Sequence, residues 1–170
     1  GAKFDFDKTN WFNQQYLRLE PNKNLAKKLQ VILKRNGIVK EDNFVEEACS
    51  QLKERATFVK EMWEEGKYYF VPPKVYDEKL IRKKWGENTP KILIELKSRF
   101  KSISNFNAKN IENEFKNFLD EKNMRIGSLL PVLRVSLTGL GMGPSLFNIA
   151  ELLGKEDVIC RMERAVKKIK

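Results

Sequence analysis

An arginine and several apolar residues flank a glycine-rich stretch late in the chain. Arg134 lies near the end of one helical pattern, and a second helical pattern follows at once. Between and just after them come Gly139, Gly141, Gly143, Pro144, Leu146 and Phe147. Glycine accepts backbone angles that strain other residues, and proline fits the first turn of a helix, so a sharp corner is predicted here. A guanidinium beside an apolar surface suits an unstacked nucleobase, which offers a polar edge and an apolar ring.

Other interpretations of these residues stay open. Arg134 is also placed to donate to helix-end carbonyls near Gly139. Leu146 and Phe147 share a helical spacing with Ile149 that fits ordinary core packing, so we expect at least one of them to be buried.

The overall charge points to a polyanionic partner. The chain has 170 residues and a formal net charge of +10, with 33 basic and 23 acidic side chains. Nucleic acid is the first candidate and an anionic membrane surface the second. The densest basic run contains Lys74, Lys79, Arg82, Lys83, Lys84, Lys91, Lys97, Arg99 and Lys101, and further clusters are Lys27, Lys28, Lys34 and Arg35, and Lys167, Lys168 and Lys170. Any single lysine is equally explained as a solvated helix face, but as a group they suit phosphate attraction without base choice.

Composition argues against several classes of protein. The chain has no histidine, which removes the commonest general base and the commonest zinc ligand. No nucleophile stands beside a base, so we expect neither a catalytic nor a metal site. Cys49 and Cys160 are expected to be buried, reduced thiols of a cytoplasmic protein. No run is apolar enough to span a membrane, and no signal peptide is visible.

Helical periodicity dominates, and the sequence predicts an all-α fold. Helices are expected near residues 6–18, 23–36, 42–53, 56–66, 77–84, 89–103, 108–122, 127–138, 144–153 and 156–169. Asn24 and Asn107 are candidate helix caps, and Gly37 is a candidate helix end. Pro72-Pro73 cannot continue a helix, so we place the boundary between two small helical subdomains there, at residues 1–73 and 74–170. Trp11, Phe12 and Tyr16 form a stripe that we expect to pack against the first subdomain.

Three segments resemble one family. The first is Phe4-Asp-Phe-Asp-Lys-Thr-Asn-Trp-Phe-Asn-Gln-Gln-Tyr-Leu-Arg18, the second is Gln51-Leu-Lys-Glu-Arg-Ala-Thr-Phe-Val59, and the third is Arg134-Val-Ser-Leu-Thr-Gly with Gly143-Pro-Ser-Leu-Phe-Asn-Ile and Leu153-Gly-Lys. Their order and sequence are similar to those of the C-terminal, tRNA-binding half of bacterial-type glutamyl-tRNA synthetases, which are class I enzymes. The resemblance implies a helix-bundle, or cage, anticodon-binding architecture. Residues 1–73 would comprise the end of a stem-contact segment and a first anticodon-binding subdomain, and residues 74–170 a second one.

The resemblance also implies residue roles. Arg55 would contact the third anticodon base, and Arg134 the first two, in a pocket that Thr138, Pro144, Leu146 and Phe147 line. The third base is C for glutamate and G for glutamine, and the pairing edge of cytosine offers a guanidinium two acceptors where guanine offers donors. Taken without the family, Arg55 is equally explained by an ion pair with Glu54 or Glu47. Two departures from the family pattern, Leu140-Gly-Met-Gly and Ser145, leave the shape of the first-base pocket open.

The expected function is therefore recognition of the tRNA(Glu) anticodon stem-loop by the non-catalytic part of a glutamate–tRNA ligase. Lys79, Arg82, Lys83 and Lys84 are candidate phosphate contacts. The parent enzyme would use ATP and Mg²⁺ in an N-terminal catalytic domain, whose histidine-containing ATP signature and Lys-Met-Ser-Lys-Ser-like motif this sequence lacks. No cofactor is expected in this part, and a monomer is the default. The alternative is a basic, all-helical protein-interaction module without RNA specificity.

Overall fold

A computed structural model describes residues 6–169, and within that range the chain forms α-helices, one short 3-10 turn and no β-strand. The all-α prediction is confirmed. Phe4, Asp5 and Lys170, which belong to patterns described above, lie outside the described residues. The chain divides into two compact units, of which the first ends at Phe70 and the second begins at Val71. In the described part, no helix combines the length and the apolarity needed to cross a bilayer.

The described part of the first unit contains four helices. They are α1 (Phe6–Leu19), α2 (Asn22–Arg35), α3 (Asp42–Leu52) and α4 (Val59–Gly66). The apolar face of α2, with Leu25, Leu29 and Leu33 fully buried, packs on α3 and α4. A 3-10 turn (Lys67–Tyr69) follows α4, and the aromatic residues Tyr68, Tyr69 and Phe70 are buried.

Local sequence signals explain both ends of α2. Gly37 has a φ of +71° and follows α2, where its N–H donates to the Lys34 carbonyl at 3.0 Å and the Ile38 N–H donates to the Leu33 carbonyl at 2.9 Å. These two bonds form the Schellman arrangement that glycine favours. The start of α2 differs from the prediction, because Pro21 precedes the first helical residue and Asn24 lies inside the helix without capping it. Proline suits that place because its missing N–H would have no partner there.

The aromatic stripe of α1 is a correction. Trp11, Phe12 and Tyr16 are more than half exposed, whereas the prediction placed them against the first subdomain. The side of α1 that faces inward carries the buried Leu17 together with Asn13 and Arg18. The aromatic stripe of α1 therefore lies on the outward face of the helix.

Six helices lie in the second unit as far as residue 169. They are α5 (Glu78–Lys84), α6 (Thr89–Ser102), α7 (Ala108–Glu121), α8 (Ile126–Thr138), α9 (Leu146–Leu153) and α10 (Lys155–Lys168). In this unit α8 contacts α5 and α10, α6 contacts α7 and α10, and α7 contacts α9. Seven of the thirteen residues of α8 are buried, which makes it the central helix of this unit. The predicted cap of α7 is confirmed, because the Asn107 side chain accepts the Asn110 N–H at 2.8 Å.

The two cysteines differ in environment. Cys49 is fully buried in α3, and burial, with a smaller effect from Glu46, raises its pKa to about 12. Cys160 is exposed, which corrects the prediction that both thiols are buried. The reason is its place on α10, where the neighbouring Ile159 and Arg161 occupy the inward face.

Candidate nucleic-acid interface

The predicted corner forms after α8 and is termed here the glycine corner, residues 139–145. Gly139 ends α8 with a φ of +79°, and its N–H donates to the Val135 carbonyl at 2.8 Å. A Cβ on Gly139 would lie 2.6 Å from the Val75 carbonyl oxygen and 2.9 Å from Cβ of Pro73. The Gly139 carbonyl in turn accepts the Asp77 N–H at 2.8 Å. Both the positive φ and the close approach therefore require glycine at this position.

Arg134 lies in the last turns of α8 and bridges the corner. Its Nη1 donates to the Pro144 carbonyl oxygen at 2.9 Å, and the side chain is half-buried. The sequence offered a carbonyl near Gly139 as the alternative partner, whereas the observed acceptor is at the other end of the corner. This bond fixes the guanidinium where the chain turns from α8 to α9.

Thr138 stabilises the same corner from within. Its hydroxyl lies 2.8 Å from the Arg134 carbonyl oxygen and accepts the Leu140 N–H at 3.1 Å. The residue is 4% exposed. Its contribution to the corner is thus mainly a hydrogen-bonded support for the backbone on which Arg134 is mounted.

The apolar residues of the corner lie at different depths. Pro144 is half-buried and precedes Ser145, so it stands just before α9 and not in its first turn as predicted. Leu146 and Phe147 are buried in the main core of this unit, and the Phe147 ring lies 5.7 Å from that of Phe115. We expected at least one of Leu146 and Phe147 to be a core residue, and both are. They pack in the core next to the glycine corner.

A buried arginine that sequence reasoning missed supports the corner from α10. Arg161 is 2% exposed, and its Nη1 donates to the Leu137 carbonyl at 2.8 Å. Its Nε and Nη2 donate to the two carboxylate oxygens of Asp157, both at 2.9 Å. An available signal was its place among the apolar positions of α10, next to Met162 and four residues after an acid.

The basic residues of α5 do not form one uniform surface. Lys79, Arg82 and Lys83 are exposed around a shallow depression with Glu78, and Arg82 pairs with Glu78 at 3.4 Å. Within residues 6–169 no carboxylate pairs with Lys79 or Lys83. These two lysines are thus the strongest phosphate candidates of the four.

Lys84 has a structural partner. Its Nζ donates to the Gly127 carbonyl at 2.9 Å. Pro131 lies inside α8, four residues after Gly127, and has no N–H with which to complete the helical hydrogen bond to that carbonyl. Lys84 therefore satisfies an acceptor that a proline leaves without a helical donor.

Several other predicted basic residues are also neutralised. Lys97 pairs with Glu163 at 2.9 Å, and Arg99 pairs with both Glu114 and Glu121. The positive charge available to a polyanion is therefore more restricted than the sequence cluster implied.

Arg55 lies in the first unit, on the exposed turn between α3 and α4, here termed the Arg55 turn (residues 53–58). Its N–H donates to the Leu52 carbonyl at 3.0 Å. The two acids that the sequence offered as partners are engaged elsewhere. Glu54 pairs with Arg18 at 3.2 Å, and Glu47 accepts a hydrogen bond from Ser50 at 3.2 Å. Among the described residues no carboxylate pairs with the Arg55 guanidinium.

The far side of the Arg55 turn is held by Glu61 of α4. One carboxylate oxygen of Glu61 accepts the Thr57 N–H at 2.6 Å and the Phe58 N–H at 3.3 Å. The Glu61 carboxylate thus supplies one half of a capping box, since the Phe58 side chain has no acceptor, and this contact explains why α4 starts at Val59, later than predicted. Within residues 6–169, no group of His, Cys, Asp and Glu is arranged to hold a metal ion.

Comparison with known proteins places most of this chain in one family. A protein-family profile described as an anticodon binding domain matches residues 23–166. A glutamate–tRNA ligase of Porphyromonas gingivalis is 38% identical over 167 residues, which cover 98% of this chain and 33% of that protein. A glutamate–tRNA ligase of Flavobacterium psychrophilum is 39% identical over 166 residues, again 98% of this chain and 33% of that protein.

Solved structures match over the whole chain. The crystal structure of a glutamate tRNA ligase from Elizabethkingia meningosepticum, in complex with its amino acid, superposes with a TM-score of 0.93 and 34% identity, covering 100% of this chain and 34% of that one. Glutamate-tRNA synthetase from Elizabethkingia anophelis gives a TM-score of 0.89 at 31% identity, covering 99% of this chain and 33% of that one. The chain thus spans about a third of the length of the relatives that it matches. With most of its residues inside one family profile, this chain belongs to the anticodon-binding domain family and is homologous to the C-terminal region of glutamate–tRNA ligases.

Proposed function

We propose that this chain recognises the anticodon stem-loop of tRNA(Glu) as part of a glutamate–tRNA ligase. The observation that carries the proposal is the exposed Arg55 guanidinium, mounted on a turn that is held from both sides while its neighbouring acids are engaged by other residues. An arginine presented in this way supplies a planar fork for the edge of an unstacked base.

The chemistry of the third anticodon base follows from that fork. Cytosine accepts through O2 and N3, whereas guanine would place N–H donors against the N–H donors of Arg55. One bidentate contact of this kind discriminates by about 1–3 kcal/mol. Arg134 at the glycine corner is assigned to the first two bases, with Thr138, Pro144, Leu146 and Phe147 shaping that pocket.

The remaining steps belong to the rest of the parent enzyme. The relatives are named glutamate–tRNA ligases and are about three times as long as this chain. We assign glutamate activation, ATP and Mg²⁺ to the part of such an enzyme that this sequence does not include, and its catalytic domain is the expected covalent partner. The present residues contribute binding and base choice, and the expected state is a monomer.

The test is a titration with two RNA hairpins that carry the tRNA(Glu) anticodon loop, one with C and one with G at the third anticodon position. The wild-type chain is expected to prefer C, and Arg55→Ala to lose most of that preference. Arg35→Ala is the matched control, because it removes another exposed guanidinium from the same unit and should affect both hairpins alike. A wild-type chain that binds both hairpins equally would contradict the proposal and favour a protein-interaction module.

A further inference from the structure

We propose that Arg18 is a positioning residue for Arg55, because it holds Glu54 and so keeps that carboxylate from neutralising the neighbouring guanidinium. The inference rests on the proposed function. It concerns how the Arg55 guanidinium is kept from forming an ion pair with Glu54, so that it can bind the third anticodon base. Glu54 and Arg55 are consecutive residues. A free Glu54 carboxylate would therefore compete with an approaching RNA base for the Arg55 guanidinium.

Arg18 makes two contacts with Glu54. Nε of Arg18 lies 3.2 Å from a carboxylate oxygen of Glu54, and Nη2 donates to the Glu54 backbone carbonyl, also at 3.2 Å. Arg18 lies near the end of α1, so the contact joins α1 to the Arg55 turn across 36 positions of sequence. It constrains both the side chain and the backbone of the residue before Arg55.

The rest of the Arg55 turn is held by contacts that do not involve Arg18 or Glu54. Ala56 is 1% exposed and anchors the turn in the core, and Glu61 holds the N–H groups of Thr57 and Phe58. Glu61 acts on the far side of Arg55 and does not engage Glu54. Loss of Arg18 therefore frees the Glu54 carboxylate while leaving the Arg55 turn anchored.

The other nearby acids already have partners. Glu47 accepts from Ser50 and Gln51, and Glu20 lies 3.7 Å from the Lys28 ammonium. Glu54 is consequently the acid whose release changes the charge seen by an RNA base at Arg55.

The expected effect is modest, because an exposed ion pair between Glu54 and Arg55 would be weak. We expect Arg18→Ala to reduce the ratio of affinities for the C and G hairpins by about two- to fivefold, the range typical of exposed ion pairs. Removing Arg55 itself should reduce the ratio by about fivefold or more, since the whole bidentate interaction with the base is then removed.

The decisive comparison is a rescue. Arg18→Ala should lower the C-to-G affinity ratio, and Arg18→Ala combined with Glu54→Gln should restore it, because glutamine keeps the shape of the side chain without its charge. Lys60→Ala is the matched control, since it breaks the exposed Lys60–Glu64 pair of the same unit and should leave the ratio unchanged. An unchanged ratio in Arg18→Ala, or a double variant that fails to recover it, would overturn the inference while leaving the role of Arg55 intact.

A second measurement needs no RNA and so separates this inference from the proposed function. An exposed guanidinium exchanges its Nε–H rapidly with water, whereas one held by a carboxylate is protected. Proton–nitrogen NMR of the free chain should show that the Arg55 Nε–H exchanges about two- to fivefold more slowly in Arg18→Ala than in the wild type or in the double variant. Far-UV circular dichroism checks folding, and Arg18→Gln, which keeps much of the side-chain stem, replaces Arg18→Ala if the latter unfolds. An unchanged exchange rate of the Arg55 Nε–H in a folded Arg18 variant would overturn the inference.

Discussion

Arg161 on α10 donates a hydrogen bond from Nη1 to the carbonyl oxygen of Leu137, 2.8 Å away in the last turn of α8. The final carbonyls of a helix have no partner within it and carry partial negative charge, so a buried guanidinium is a favourable ligand for them. Because Asp157 holds the other side of that guanidinium, α10 fixes the end of the helix from which Arg134 projects. The rigidity of the glycine corner therefore depends on a residue that is itself 2% exposed.

Replacing Arg161 with Met is expected to lower the free energy of unfolding by about 2–4 kcal/mol, because it leaves a buried carbonyl and the Asp157 carboxylate without their donor. Urea denaturation followed by circular dichroism measures the change. Asp157→Asn is the milder companion variant, since the amide oxygen still accepts from Arg161. Equal stability of wild type and Arg161→Met would show that the buried contact contributes nothing net.

Arg134→Ala is expected to weaken binding of the cognate hairpin by about 1–3 kcal/mol, the scale of a bidentate base contact, while third-base preference persists. Loss of the hydrogen bond to the Pro144 carbonyl should lower stability by about 0.5–1.5 kcal/mol. Arg125→Ala provides the control, since that exposed guanidinium lies at the opposite end of α8, about 14 Å along the helix. Similar losses from both variants would point to general charge attraction in place of a base contact.

The lysines of α5 give a salt-dependence prediction. Lys83→Ala should weaken the C and G hairpins equally and reduce the slope of log affinity against log salt concentration by about 0.7–0.9 for each phosphate that is no longer neutralised. Titrations at several salt concentrations measure the slope. Lys116→Ala, which removes a lysine paired with Glu112 at 2.7 Å, is the control and should leave the slope nearly unchanged. An unaltered slope in Lys83→Ala would remove that residue from the phosphate surface.

The buried thiol of Cys49 predicts an alkaline loss of stability. Its pKa is raised from 9.0 to about 12 in the folded chain, so the unfolded state releases the proton first as pH rises. The stabilising effect of the protonated thiol is complete below pH 9 and is lost progressively toward pH 12. The free energy of unfolding should therefore fall by about 1.4 kcal/mol between about pH 8 and pH 10 relative to Cys49→Ala.

Chemical denaturation of the wild type and of Cys49→Ala at both pH values measures this difference. A thiol reagent gives a direct companion readout, because the exposed Cys160 should react in the folded chain and Cys49 only after unfolding. Parallel pH dependence of the two proteins would contradict the raised pKa.

Short-range patterns in the sequence were enough for the helices and several of their ends. Apolar residues at helical spacing marked all ten helices of the described part to within a few residues, and the Asn107 cap and the Gly37 end were readable because each depends on one side chain and its immediate neighbours. The quoted motifs were sufficient for the family, since they lie in order along the chain and need no knowledge of tertiary contacts.

Contacts between distant positions were decided only by the tertiary structure. The exposed stripe of α1, the burial of Leu146 and Phe147, and the exposure of Cys160 depend on which helix face meets a neighbour, and periodicity alone does not say whether an apolar face is covered. Lys84 was indistinguishable from a phosphate ligand until the structure placed it on the carbonyl that Pro131 leaves unbonded. Arg18 and Arg161 act across 36 and 24 positions of sequence, so their roles in presenting Arg55 and the glycine corner arise from folding. Charge and residue type are properties of the chain, whereas the pairing that removes or preserves a charge is a property of three-dimensional proximity.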